Sequence, residues 1–182
     1  MDFEDEIAKS VDAFNNRKTY SALDKSTLES IEDSELEQAI VDYIYTKVGD
    51  DYEKQYEIVT GLSKGFKAVY TTWWVEAEVN NGGFNQYFWN SSSQFAMEAI
   101  DGFKEIGAEK YASLMENAVK IAIDEMPEMQ KFRNKGTLEA FSESYEHTAL
   151  NELDEKFFEY PEDLSKLRIT YIRNNYGLFT GN

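Results

Sequence analysis

The chain has 182 residues, no cysteine, one histidine, and a formal charge of −17 from 18 basic and 35 acidic side chains. That length fits one domain, or one domain with an appended arm. The charge repels nucleic acid and anionic membranes, and the lack of cysteine excludes a disulfide framework and thiolate metal sites. Aromatic residues make up 15% of the chain, which sets it apart from acidic disordered tails.

The opening MDFEDEIAKS has no basic region followed by an apolar stretch, so no secretory signal is expected. No run approaches the ~18 apolar residues of a membrane span. A reducing cytoplasm is the expected setting.

Apolar spacing is helical along the chain. Ile7, Val11 and Phe14 mark one face of a first helix. Ser34 and Glu37 have capping-box spacing ahead of Leu36, Ile40, Tyr43 and Ile44, and Gly49 is placed to stop that helix. Tyr52 to Thr60 reads as a short helix. Phe66, Val69, Tyr70, Trp73 and Ala77 carry a longer one to Asn80. Ala96, Ala99, Ile100 and Phe103 repeat the pattern, and Gly107 separates them from a helix with Tyr111, Leu114, Met115, Ala118, Ile121 and Ala122. Pro127 is expected to end that helix or to sit just past it. Thr137 opens the next, which runs through Phe141, Tyr145, Ala149, Leu153 and Phe157. After Pro161, Leu164, Leu167, Tyr171 and Ile172 make the last.

No period-2 strand pair interrupts this series. The expected class is all-α, a multi-helix domain of roughly eight to ten helices. Residues 1–57 hold 16 acidic and 6 basic residues, against 19 and 12 in residues 58–182. Residues 1–60 are therefore expected to be an acidic helical arm or subdomain, and residues 61–182 the α-helical core.

The stretch EVNNGGFNQYFWNSSSQFA, Glu78 to Ala96, interrupts the helical pattern. Asn80, Asn81, Gly82 and Gly83 tolerate positive φ and form a helix stop. Phe84, Tyr87 and Phe88 restart a helical turn, and Asn90 with three serines breaks it again. Asn and Gln side chains can satisfy the backbone groups that two breaks set free. The alternative is a polar pocket lined by Glu78, Asn81, Gln86, Tyr87 and Asn90. The glycines lack the strand, the spacing and the lysine of a phosphate loop.

Glu78-Val79-Asn80-Asn81-Gly82-Gly83-Phe84, Gln86-Tyr87-Phe88 and Asn90-Ser91-Ser92 resemble the core motif of a bacterial family of domains of unknown function. That family includes an acidic DNA-mimic protein. The similarity runs from about Phe66 to Met126 and leaves the first 60 residues unmatched. The resemblance implies an all-α fold. For the mimic member it implies an acidic surface that imitates DNA phosphates and occupies the DNA-binding face of a transcription factor.

B-DNA carries one charge per ~1.7 Å of axis. Carboxylates three or four residues apart on a helix fall ~5–6 Å apart along a ridge. Glu139, Glu143 and Glu146 have that spacing, as do Glu152 and Glu155, with Glu159 and Glu162 beyond if the helix passes Tyr160. Glu29, Glu32 and Asp33 belong to a further dense patch. The expected partner is a basic, DNA-binding protein, with no direct nucleic acid, no membrane and no cofactor. A homodimer is left open. The alternative is an interaction or immunity-type module that uses the aromatic, amide-rich motif as its contact. No catalytic or metal set is expected. Glu143 and His147 are spaced i, i+4, but no HExxH-type pattern surrounds them.

Overall fold

A computed structural model describes residues 3–180, with side chains from Asp5 onward. It contains ten α-helices among these residues: α1 Phe3–Asn15, α2 Lys25–Ser30, α3 Asp33–Val48, α4 Gln55–Gly61, α5 Lys64–Trp89, α6 Ala96–Glu105, α7 Glu109–Lys135, α8 Leu138–Ser144, α9 Asn151–Phe157 and α10 Leu164–Asn174. Short 3-10 turns join several of them, and no strand occurs among the described residues. The fold is all-α. No described helix is long and apolar enough to cross a membrane.

α5 is the centre of the packing. α6 lies against both α5 and α7, and α3 and α9 cover other faces of α5. The α5–α6 crossing is close at Gly102. A β-carbon there would stand 2.9 Å from Thr71 Oγ1 and 3.2 Å from the Ala68 main chain. An aromatic chain fills the core between these layers. Phe103 stacks on Tyr111 at 5.8 Å, Tyr111 meets Phe157 edge-on at 4.9 Å, and Phe157 meets Phe84 at 5.7 Å. Each such ring contributes about 1.5–3 kcal/mol through burial.

Buried Arg168 ties three helices together. From α10 its Nε donates to Glu37 of α3 at 3.0 Å, and its Nη2 donates to Glu76 of α5. Arg173 donates to the Leu28 and Ile31 carbonyls and to Asp33. Arg17 fixes the segment after α1 by a two-point bond to Asp42, at 2.6 and 2.7 Å. The apolar face of α1, Ile7, Val11 and Phe14, is exposed.

Four local expectations need correction. Ser34 and Glu37 form no capping box, because α3 already starts at Asp33 and Glu37 turns to Arg168. Pro127 lies inside α7 and does not end it. The apolar face continues past it from Met115 and Ala118 to buried Phe132, and that packing outweighs the lost main-chain bond. The helix opened by Thr137 stops at Ser144 and resumes at Asn151. Between them Glu125 of α7 accepts from the Thr148 hydroxyl at 2.6 Å and the Ala149 N–H at 2.8 Å, and Thr148 is extended. The carboxylate ridge on α9 ends with the helix at Phe157, so Glu159 falls beyond it. Glu162 instead caps α7, accepting from the Lys110 N–H at 3.0 Å.

Candidate functional site

α5 breaks where Asn and Gly predict it. Gly82 has φ −166° and ψ 30°, and Gly83 has φ 71° and ψ −179°. Gly83 is in a backbone region that other residues enter only with strain. It is also short of space, since a β-carbon there would stand 2.2 Å from Asp154 Oδ2.

The restarted turn exposes a free N–H, as any helix start does. The Phe84 N–H donates to Asp154 Oδ1 at 2.7 Å. Asp154 lies on α9, 70 residues away, and acts as an N-cap supplied from another helix. It is half-buried, and that burial pushes its carboxyl above the usual range, against the pull of the Phe84 N–H. Three further bonds join the same regions. The Tyr145 hydroxyl donates to the Gly82 carbonyl at 2.7 Å, Asn85 Nδ2 donates to Ser144 Oγ at 2.8 Å, and the Tyr160 hydroxyl donates to Asn80 Oδ1 at 3.2 Å.

Glu78 closes the break from inside. It is 9% exposed. Its Oε2 accepts from Gln86 Nε2 and from Asn90 Nδ2, each at 2.8 Å, and its Oε1 accepts from Ser92 Oγ at 3.2 Å. One carboxylate thus joins both halves of α5 and the following turn. Tyr87 is fully buried, and its hydroxyl has no hydrogen-bond partner among the described residues. Burial first, then the Glu98 and Glu78 carboxylates, push that hydroxyl far above its ordinary range.

The expected polar pocket is divided by this arrangement. Asn81, Gln86 and Asn90 line an open cleft together with Trp89 and Phe141. Glu78 and Tyr87 are buried and do not line it. Asp154, Tyr145 and Ser144 complete the motif. Nothing in their local spacing marks them for this, because their partners are 59 to 70 residues away.

A family model described as DMP19-like protein matches residues 60–175, from the end of α4 through α10. The chain belongs to the DMP19-like family. The matched region contains the glycine break, Glu78 and the α8–α9 residues that hold the break. This agrees with the resemblance seen at Glu78 to Ser92. No curated protein and no solved structure is matched by the chain.

The carboxylates singled out as a partner surface, Glu29, Glu32, Asp33, Glu139, Glu143, Glu146, Glu152 and Glu155, are all exposed. Three have cations beside them: Glu29 with Lys25 at 3.6 Å, Asp33 with Arg173 at 2.6 Å, and Glu143 with Lys135 at 2.8 Å. The Lys135 bond holds the Glu143 carboxyl below its usual range. Glu32, Glu139, Glu146, Glu152 and Glu155 have no ion pair among the described residues. Glu139 and Glu143 share α8, Glu152 and Glu155 share α9, and Glu146 falls in the 3-10 turn Tyr145–His147 between them. His147 lies against the Phe132 ring at 5.0 Å. Among the described residues no group of three or more His, Asp or Glu could hold a metal ion.

Proposed function

We propose that this chain is a DNA mimic that occupies the DNA-binding surface of a basic protein, such as a transcription factor. The observation that carries the reading is a set of exposed carboxylates without protein cations, Glu32, Glu139, Glu146, Glu152 and Glu155, on a chain of charge −17. Membership of the DMP19-like family supports it.

A DNA-binding protein gains affinity by placing Lys and Arg on phosphates and releasing counterions. Carboxylates held on helices offer the same partner a similar row of charge. Association would be fast and sensitive to salt. Residues 1–60 are read as an acidic subdomain packed on the 61–182 core, with Leu36, Ile40 and Ile44 of α3 in the buried core shared with α5.

The test is capture of host cytoplasmic proteins on the purified chain, elution along a salt gradient, and challenge with duplex DNA. A DNA-binding protein that leaves at moderate salt and is displaced by the duplex supports mimicry. A partner held through high salt and indifferent to DNA overturns it.

The second reading is a non-mimic interaction or immunity-type module that uses the motif as its contact. It is favoured by the open cleft at Trp89 and Phe141, with Leu138, 80% exposed, on its wall. Binding that survives high salt and is lost on Trp89→Ala, in a variant that stays folded, would select it.

A further inference from the structure

A second cleft, of about 270 Å³, is lined by residues from α5, α6 and α7. Its apolar wall includes Phe88, Met97, Val119, Ile123, Met126 and Met129. Met97, Ile123 and Met126 are among the most exposed large apolar side chains, at 62, 59 and 58%.

The polar groups of this wall are nearly all engaged within the protein. Both Glu125 oxygens accept bonds, from Thr148 and Ala149. The amide of Asn85 donates to Ser144, that of Gln130 donates to Asn134, and the Ser93 hydroxyl donates to the Asn90 carbonyl. Arg133 differs. The other three arginines, Arg17, Arg168 and Arg173, are bound to carboxylates. Arg133 donates to the Phe88 carbonyl, lies over the Trp89 ring at 5.6 Å, and meets no carboxylate among the described residues. A guanidinium has five donors, so most of its fork is free.

We propose that this cleft binds a small monocarboxylic acid with an apolar chain. The methionines take the chain, and Arg133 takes the carboxylate. Methionine adapts to unbranched chains, and the guanidinium fork matches a carboxylate at two points. The volume is near the lower end for small-molecule sites, which suits one short-chain acid and not a partner's helix. The net charge opposes anions at long range, so the local cation is essential to the site. The proposal does not depend on DNA mimicry.

The test uses the whole chain with 13C-labelled methionine methyls, titrated with octanoate and separately with 1-octanol. Octanoate is expected to shift Met97, Met126 and Met129 saturably and to leave core Met115 in place. Octanol, and octanoate on Arg133→Gln, should bind about tenfold more weakly, and Arg133→Lys should fall between. Equal binding of octanol and octanoate by the natural chain, or no saturable shift, overturns the proposal even if Arg133→Gln fails to fold.

Discussion

Asp154 Oδ1 accepts the Phe84 main-chain N–H at 2.7 Å, so a carboxylate on α9 starts the second half of α5. The bond exists because Gly83 turns the chain at φ 71° and carries no β-carbon to displace Asp154. Removing either side should undo the same joint.

Gly83→Ala is expected to destabilise the fold by about 2 kcal/mol or more, from backbone strain and the collision with Asp154. At Gly82 the backbone is extended and the nearest obstacle is the Gln86 side chain. Gly82→Ala should therefore cost less. Urea unfolding of the two variants checks the order, and equal stability would contradict it.

Asp154 also predicts a pH dependence. Its folded-state pKa is raised by burial, so its favourable contribution is fully present below the unfolded value and is lost as pH rises through the folded one. Relative to Asp154→Asn, the natural chain should lose stability between about pH 3 and pH 7. Urea midpoints for both proteins at the two ends measure this, and a difference that grows toward neutral pH in favour of Asp154 would reverse the sign.

Glu78→Gln places an amide donor among the donors of Gln86, Asn90 and Ser92. A loss of about 1.5–3 kcal/mol is expected, the range for buried bonds to a charged group. Thermal unfolding reads it. An unchanged midpoint would mean that Glu78 does not hold the break together.

Pro127→Ala should restore a main-chain bond in the middle of α7 and stabilise the chain by about 1–3 kcal/mol. Denaturant midpoints test this. A loss of stability would show that the proline fits a bend that the rest of α7 requires.

The fold class was legible because apolar spacing carries it locally. Gly49 caps α3 at φ 57°, and Asn80 to Gly83 mark the break, through conformational preferences that belong to those residues. What escaped the sequence was long-range. Glu37 has capping-box spacing, yet its partner is Arg168, 131 residues away. The stop of α8 depends on Glu125 of another helix. Asp154 sits in an acidic run where nothing distinguishes it from its solvated neighbours. The candidate site shows the same division. Gly82, Gly83 and Asn90 were readable as a break, whereas the roles of Glu78 and Tyr87 depend on what buries them.

The most direct test of mimicry is the salt dependence of binding to the captured DNA-binding protein, comparing the natural chain with the triple variant Glu139→Gln, Glu146→Gln, Glu152→Gln, three carboxylates without an ion pair among the described residues. These side chains are exposed, so the variant should keep the thermal midpoint of the natural chain. Its affinity should fall, and the slope of log affinity against log salt should become shallower. Unchanged affinity and slope in a folded variant would contradict the account.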